Sequence, residues 1–245
     1  MSASRQQTAS EGWRLQGDQA VLSAPSLDAS IALQHPSRGL SALRIAGAAV
    51  EGGLLRVDVQ PPSLTGALSD EALSAPWHVH DAYVRGCDLV ATYREPLGQP
   101  LNVQIYWRVP SDGGEALSLL DAIVSIQTPH WEAYPSVSIC SSLPADEVVT
   151  MPNLLLYRTG EQQWRTGEQQ WSYAEFSIPG DFTLTPLNPP QGEIGARWQF
   201  GKQFMERGVI RRLHLRAAII PRANDIATAA QLLSDLLAEH PPLTT

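Results

Sequence analysis

Apolar and polar residues alternate with a period of two along most of the chain. Leu55, Val57 and Val59 alternate with Arg56 and Asp58, which places the apolar set on one face of a strand. One sheet cannot bury so many one-sided strands, so the pattern predicts an all-β fold, a large antiparallel β-sandwich of two packed sheets. Further predicted strands are DLVATYRE, LNVQIYWRV, EALSLLDAIVSIQT, SVSICSS, NLLLY, WSYAEFSI, EIGARWQF and GVIRRLHLRAAII.

Turn-forming residues separate these strands. Pro36 and Gly39 mark a turn after ASIALQH, and the segment 96–100 between two prolines predicts a hairpin. The run Asp112-Gly113-Gly114 is a turn signal before the longest strand. Residues 63–76 are expected to form a loop with one helical turn.

The exception to the strand pattern is one C-terminal α-helix, predicted over residues 225–239. Asn224 or Asp225 is suited to cap it, and Pro241 ends it. Residues 1–12 are predicted to be a disordered tail, and residues 13–245 a single β-sandwich domain that includes the helix. The apolar residues at helical spacing are Ile226, Ala229, Ala230, Leu233, Leu236 and Leu237.

The heptad RTGEQQW occupies residues 158–164 and recurs at once as residues 165–171. Surface loops tolerate added length at little cost, so a neutral insertion that lengthens a hairpin is favoured over a functional loop. Deleting one copy is then expected to leave the melting temperature nearly unchanged. Seven is odd, so two copies in one unbroken strand would place Trp164 and Trp171 on opposite faces.

Composition narrows the function. Charged residues make up 17% and apolar residues 43% of the 245 positions, and the formal net charge is −8. A chain of this charge without a Lys/Arg run is not expected to bind nucleic acid. The sequence contains no run of about 18 apolar residues, so no membrane-spanning helix is predicted. The N-terminal segment MSASRQQTAS does not resemble a secretory signal, so a cytoplasmic protein is expected. Cys87 and Cys140 are therefore predicted to be free, buried thiols.

No motif of high specificity for a cofactor, a metal or a nucleophile is present, so none is predicted. The segment WHVHDAYVRG carries the densest polar chemistry. If it is extended, His78 and His80 point to one face, and Trp77, Asp81, Tyr83 and Arg85 to the other. Two histidines without a third ligand make a weak zinc site, so the alternatives are a structural loop or a site for a sugar or a small anion.

Two strands carry unusually well-equipped polar faces. Arg212, His214 and Arg216 align on one side of the last strand. The set Asn102, Gln104, Tyr106 and Arg108 does the same on an earlier one. These faces are either solvated outer surfaces or the lining of a cleft for a polyhydroxylated or carboxylated ligand.

The run SIALQHPSRGLSALRIAGAAVEGG (residues 30–53) resembles the opening of galactose mutarotase-like proteins, and MERGVIRRLHLRA (residues 205–217) is compatible with that superfamily. The resemblance implies a large twisted sandwich with a carbohydrate-binding cleft on a concave sheet. Members share two separated catalytic histidines and a late glutamate that transfer protons. His78, His130, His214 and Glu206 are the corresponding residue types here, but none lies in a matching pattern, so no catalytic residue is assigned.

The sequence therefore favours a carbohydrate-binding β-sandwich, and the resemblance allows a catalytically degenerate relative of the aldose epimerases. The expected partner is a small carbohydrate or a uronic-acid-like ligand, with a homo-oligomer allowed. The alternative is a non-enzymatic structural or self-assembly module. Whether the protein is an enzyme is left open. The predicted ligand-binding residues are His78, Arg85, Tyr106, Arg108, His214 and Arg216, with His78 or Arg85 reaching the site from a loop.

Overall fold

Antiparallel strands account for most of the protein. The computed structural model describes residues 12–24, 26–60, 75–110, 118–159, 164–166, 169–187, 195–201 and 203–239. In these residues the strands are β1 (Gly12–Gln16), β2 (Gln19–Ala24), β3 (Leu27–Ala32), β4 (Ser41–Ile45), β5 (Ala48–Val50), β6 (Gly53–Gln60), β7 (Val79–Arg85), β8 (Asp88–Arg94), β9 (Asn102–Arg108), β10 (Ser118–Gln127), β11 (Glu132–Ala133), β12 (Ser136–Ser142), β13 (Glu147–Met151), β14 (Leu154–Arg158), β15 (Arg165–Thr166), β16 (Gln169–Ser177), β17 (Thr183–Leu187), β18 (Gly195–Phe200), β19 (Met205–Glu206) and β20 (Ile210–Pro221). One α-helix follows, α1 (Asp225–Ala238).

The strands form one large sheet faced by smaller ones. The large sheet has the order β13-β14-β16-β20-β10-β9-β8-β7, with β15 attached to β16. A meander of β1 to β5 and a four-stranded sheet β17-β18-β12-β6 pack against it, and β11 pairs with β19 in a separate ribbon. All ladders between named strands are antiparallel. The predicted all-β sandwich with one C-terminal helix is confirmed.

The main core lies between the inner face of the large sheet and the two smaller sheets. Trp107 of β9, Leu215 of β20 and Trp198 of β18 are fully buried in it. Leu22 of β2 and Val57 of β6 join the same cluster. Side chains alternate between the two faces of a sheet, so these residues point into the core and their neighbours along the strands of the large sheet lie on its outer face.

The predicted turn at Pro36 and Gly39 is a short 3₁₀ turn, Pro36–Arg38, that ends at Gly39. Gly39 has φ +63°, and a Cβ there would lie 2.2 Å from the carbonyl oxygen of Leu54. Only glycine fits this backbone conformation and this close approach. The hairpin expected across residues 96–100 is also present, since β8 pairs with β9.

Helix α1 covers one end of the outer face of the large sheet. Leu232 and Leu236 pack with Phe176 of β16 and Ile220 of β20 in a second apolar cluster. The predicted apolar stripe is partly wrong, because Ile226 is 42% and Leu237 is 50% exposed and Ala230 is exposed as well. The buried positions are instead Asp225, Thr228, Ala229, Leu232 and Leu236.

An ion-pair network explains why Asp225 faces the sheet. Its carboxylate accepts hydrogen bonds from Arg158 of β14 at 2.7 and 3.0 Å and from the Ser172 hydroxyl at 2.7 Å. Arg222 also contacts it, at 3.1 Å. Asn224, the other predicted cap, precedes the helix but makes no capping hydrogen bond through its side chain. Asp225 thus fixes the helical register, so the stripe differs from the one that hydrophobicity alone indicated.

A β-bulge in β7 alters the predicted faces of the WHVHDAYVRG segment. Val79 pairs with Tyr93 and Asp81 with Thr92, so His80 is the extra residue. Trp77 is buried in the core, whereas Asp81, Tyr83 and Arg85 lie on the outer face. The expectation that Trp77 shares a face with Asp81, Tyr83 and Arg85 is therefore wrong.

The second heptad folds into a small hairpin, so the two copies do not continue as one strand. β15 pairs with the start of β16 through Arg165–Gln170 and Thr166–Gln169. Trp164 has φ +52°, and its carbonyl accepts the backbone N–H of Trp171 at 3.1 Å. Both tryptophans are buried in the main core. The second copy therefore contributes to the core, and a wholly neutral insertion does not describe it.

The structure also bears on the predictions for the two cysteines, the N-terminal tail and two loops. Cys87 and Cys140 are free, as predicted, but Cys87 is exposed and Cys140 half-buried, so neither is a fully buried thiol. Gly12, from the predicted tail, begins β1; residues 1–11 lie outside the described residues. So do residues 61–74, most of the predicted loop at 63–76, and the turn residues Asp112, Gly113 and Gly114. In the part of the chain that the structure describes, no helix is long and apolar enough to span a membrane.

Candidate functional site

The outer face of the large sheet carries three rows of side chains across β7, β8, β9, β10 and β20. Residues directly opposite one another in antiparallel strands share a face. The first row is Arg85, Asp88, Arg108, Asp121 and Arg216; the second is Tyr83, Val90, Tyr106, Ile123 and His214; the third is Asp81, Thr92, Gln104, Ser125 and Arg212. We call this surface the polar face.

The first row alternates in charge across five strands. Arg108 donates two hydrogen bonds to Asp88, at 2.7 and 3.1 Å, and Arg85 approaches the same carboxylate at 3.8 Å. Arg216 donates to Asp121 at 2.6 and 3.0 Å. Such planar, bidentate pairs hold both partners in a fixed geometry. The row is therefore an ordered boundary of the polar face rather than a set of free charges.

Asp121 is fully buried and contacts two side chains of β20. Besides the Arg216 pair, its Oδ2 lies 3.3 Å from Nε2 of His214. Burial by itself raises the pKa of the Asp121 carboxyl, but the contacts with His214 and Arg216 outweigh burial and leave the pKa below its usual value. Asp121 therefore carries a negative charge that holds His214 and Arg216 in position.

Arg216 also ties the polar face to the C-terminal helix. Its guanidinium bonds Glu239, just beyond α1, with one N–O distance of 3.1 Å. Burial lowers the pKa of Arg216, but its bonds to Asp121 and Glu239 dominate and raise it. The end of the helix thus forms one wall of the polar face.

A second wall follows the end of β16, where the ladder between β16 and β20 stops at the pair Ser177–Leu215. There Asp181 accepts the backbone N–H of His214 at 2.9 Å and a hydrogen bond from Arg211 at 3.1 Å. Burial raises the pKa of the Asp181 carboxyl, with the His214 and Arg211 contacts opposing it. The segment before β17 is thereby fixed beside the second row.

The third row and Tyr106 form the part of the polar face where a ligand could bind. The Tyr106 hydroxyl donates to Oε1 of Gln104 at 2.7 Å, and Nε2 of Gln104 donates to the Thr92 hydroxyl at 3.1 Å. Arg212 is half-buried and lies 3.4 Å from the Ser125 hydroxyl. Among the residues that the structure describes, no carboxylate pairs with Arg212. This cluster offers a phenol, an amide, hydroxyls and one guanidinium to a ligand.

Tyr106, Arg108, His214 and Arg216, four of the predicted site residues, lie together on the polar face. Arg85 shares it as the last residue of β7 and does not reach it from a loop. His78 is exposed just before β7. Asn102, expected on the same side as Tyr106, is exposed at the start of β9, opposite Gln127. Sequence reasoning missed the carboxylates Asp88, Asp121, Asp181 and Glu239; the acidic residue inside the apolar run LLDAIV was the available signal for Asp121.

The other histidine and glutamate suggested by the resemblance lie elsewhere. Glu206 is exposed in β19, opposite Glu132 of β11, and His130 is exposed just before β11. His214 occupies the second row of the polar face. Within the described ranges, no group of three His, Cys, Asp or Glu side chains could hold a metal ion.

No protein-family model and no curated sequence matches the chain. Solved structures do resemble it. A putative kojibiose phosphorylase from human microbiome is similar with a TM-score of 0.53 at 8% identity, over 78% of this chain and 26% of its own. The chain thus spans about a quarter of that protein, and the likeness shows the fold.

Two other solved structures are less similar to the chain. The protein HI1317 has a TM-score of 0.46 at 12% identity, over 82% of this chain and 91% of its own. A mutant of the heparan sulfate lyase HepC from Pedobacter heparinus has a TM-score of 0.44 at 11% identity, over 83% of this chain and 33% of its own.

Proposed function

We propose that this protein binds carbohydrate on the polar face, and that a sugar bearing a carboxylate is the ligand that the face fits best. The observation that carries the proposal is one polar surface across five neighbouring strands, on which Gln104 of β9 and Arg212 of β20 flank Ser125 of β10 and Tyr106 lies in the next row. Phenol, amide and guanidinium groups are the directional partners that a polyhydroxylated ligand requires.

The charge distribution favours a carboxylate over a neutral group at Arg212. Arg85, Arg108 and Arg216 already share carboxylates, whereas Arg212 pairs with none among the described residues. A planar guanidinium matches a carboxylate through two parallel hydrogen bonds. Arg212 therefore provides local attraction for a uronate although the whole chain carries a net charge of −8.

The fold is in keeping with this proposal. The phosphorylase that resembles the chain is named for a sugar substrate. The sequence resemblance to mutarotase-like proteins implies a sugar site on the same kind of sheet face. A uronate-binding module, either alone or as part of a larger enzyme, is consistent with both.

The test is a titration of the protein with glucuronic acid, galacturonic acid, glucose and galactose, followed by calorimetry and by the melting temperature. A ligand that binds only the folded state raises the melting temperature. We expect the uronic acids to bind more tightly than the neutral sugars, and Arg212→Gln to remove this preference.

Arg44→Gln is the matched control. Arg44 has the same charge but is exposed on β4 of the smaller meander, where it donates to the carbonyl of Gly47 at 2.8 Å. Binding should survive this change. If none of the four sugars binds, or if Arg212→Gln binds uronate as well as the wild type does, the proposal is wrong.

A second candidate, self-association, is favoured by one observation on α1. Ile226 and Leu237 are 42% and 50% exposed, and at spacings of four, three and four residues they lie on one side of the helix with Ala230 and Leu233. Exposed apolar stripes of this kind mark interaction surfaces. Sedimentation of the wild type and of the Ile226→Ser/Leu237→Ser variant tests it: a dimer lost in the variant supports association, and a wild-type monomer excludes it.

A further inference from the structure

The two-stranded ribbon of β11 and β19 presents exposed aromatic rings and carboxylates together. Ala133 pairs with Met205, which is buried in the core, and Glu132 pairs with Glu206. Because faces alternate along a strand, Glu132 and Glu206 point away from the core. Both are exposed.

Two aromatic side chains extend this outward surface by one step. Tyr134 and Phe204 flank the pair Ala133–Met205, with ring centres 5.9 Å apart. They are 42% and 52% exposed, and the Tyr134 hydroxyl donates to Glu132 at 3.0 Å. This contact confirms that Tyr134 and Glu132 share a side of the ribbon. The result is a two-by-two array of rings and carboxylates.

A third exposed aromatic residue, Trp131, lies at the end of the ribbon, one residue before β11. It is 79% exposed, the most exposed large apolar side chain among the described residues. Arg207 lies 5.3 Å from the centre of its ring, which restrains the indole while leaving most of it accessible. We call Trp131, Tyr134 and Phe204 the aromatic platform.

The ribbon that carries the aromatic platform is hydrogen-bonded to the end of β10. Gln127, the last residue of β10, donates to the carbonyl of Gly208 at 3.3 Å. Gly208 N–H in turn reaches the carbonyl of Thr128 at 3.2 Å. The ribbon therefore emerges from the ends of β10 and β20 next to the third row, which contains Arg212. From Arg207 to Arg212 is five residues, or roughly 17 Å if fully extended.

We propose, resting on the proposed function, that the aromatic platform is a second sugar subsite, and that the ligand is an oligosaccharide in which a neutral ring follows the uronate. Exposed aromatic rings offer a flat apolar surface for the C–H face of a sugar ring. Glu132 and Glu206 accept hydrogen bonds from its hydroxyls. These two carboxylates repel a second uronate, so the ring bound here is neutral.

The platform suits a sugar better than a protein partner. A protein-binding patch is expected to have an apolar centre and a polar rim, whereas here two carboxylates lie beside the rings at its centre. Burying both charges under a protein without a partner for each is costly. Sugar hydroxyls satisfy carboxylates and leave the rest of the ligand in water.

The experiment compares glucuronic acid, a hyaluronan tetrasaccharide and tetragalacturonate by calorimetry. The hyaluronan probe alternates glucuronate with a neutral N-acetylglucosamine, whereas every ring of tetragalacturonate is acidic. We expect the hyaluronan probe to bind about tenfold more tightly than glucuronic acid, and tetragalacturonate to gain nothing over galacturonic acid. Trp131→Ala and Phe204→Ala should abolish the gain and leave glucuronic acid binding unchanged.

Leu15→Ala, which shortens an exposed apolar side chain on β1, is the control and should change nothing. Equal affinity for glucuronic acid and the hyaluronan probe, with Arg212-dependent binding of both, overturns the platform and leaves the proposed function standing. If binding of the hyaluronan probe depends on Trp131 but not on Arg212, the platform stands and the proposed function is wrong. If the wild-type protein binds none of the probes, both proposals are wrong.

Discussion

Trp164 and Trp171 stack face to face, with ring centres 4.8 Å apart and ring planes inclined by only 6°. They are the final residues of the two copies of RTGEQQW. The hairpin between β15 and β16 brings them together, because the chain reverses between them instead of continuing as one strand. A tandem duplication has thus placed a second indole against the first, in the core beside the end of β20.

Trp164→Ala should destabilise the protein although the residue lies just outside β15. Trp164 is 6% exposed, and truncating a buried tryptophan costs about 3 kcal/mol or more in unfolding free energy. For a chain of this size we expect the melting temperature to fall by roughly 6–12 °C.

Trp131→Ala provides the control, because its indole is 79% exposed. Scanning calorimetry of both variants should show a loss for Trp164 only. Equal melting temperatures for wild type and Trp164→Ala would mean that the stack adds no stability.

Deleting residues 165–171 should cost about as much as Trp164→Ala. Trp164 then precedes Ser172 directly and takes the place of Trp171 in β16, so the position of its stacking partner is left empty. The shorter loop contributes little, since halving a loop changes its closure free energy by only about 0.6 kcal/mol. Thermal denaturation distinguishes this outcome from the neutral deletion that the sequence suggested, in which the melting temperature stays within a few degrees.

Glu175 should make stability depend on pH. It is fully buried on the inner face of β16, where it accepts hydrogen bonds from Trp198 at 2.8 Å, from Tyr173 at 3.0 Å and from Ser141. Burial raises the pKa of this carboxyl, and the three hydrogen bonds only partly oppose the shift. The folded state therefore holds its proton to a higher pH than the unfolded state does.

Protonated Glu175 therefore favours the folded state at low pH. This contribution to stability is complete below the unfolded pKa of about 4.3, and it is lost as the pH rises from there through the folded pKa of Glu175. Glu175→Gln is neutral at every pH, and its amide suits the same partners. We expect its unfolding free energy, from urea denaturation, to exceed that of the wild type increasingly between pH 4 and pH 8. Glu51→Gln, at an exposed position, should show no such trend, and a pH-independent difference for Glu175→Gln would refute the assignment.

Period-two patterning was sufficient to predict that Arg212, His214 and Arg216 share one face, because the alternation of side chains along a strand is a local property. It failed at β7, since the bulge at His80 that separates Trp77 from Asp81 has no distinct sequence signal. The helical register was missed because Asp225 is buried through Arg158, 67 positions earlier.

The composition of the polar face required the pairing of strands. β10 lies between β9 and β20, which brings Asp121 to Arg216, 95 positions away. Read alone, LLDAIV looks like an apolar strand with one misplaced charge. The two candidate polar strand faces could therefore be identified from the sequence, but their carboxylate partners could not.

Tyr106→Phe tests the polar face with the least structural disturbance. Arg108 and His214, which the sequence singled out for this purpose, are less suitable: removing Arg108 leaves the nearly buried Asp88 without its bidentate partner, and His214 contacts Asp121. The Tyr106 hydroxyl donates only to Gln104 in the described contacts. Its loss should change the ligand-free melting temperature by no more than about 2 °C.

Binding should respond more strongly than stability does. A hydrogen bond to a charged ligand group is worth about 1.5 kcal/mol or more, so calorimetry should show roughly tenfold weaker binding of glucuronic acid to Tyr106→Phe. Tyr134→Phe, on the aromatic platform, removes the same atom from the other subsite and should leave glucuronic acid affinity unchanged. If instead Tyr106→Phe binds glucuronic acid as the wild type does, Tyr106 does not contact the uronate, and the sugar then lies nearer Arg212 and Ser125 than to the phenol.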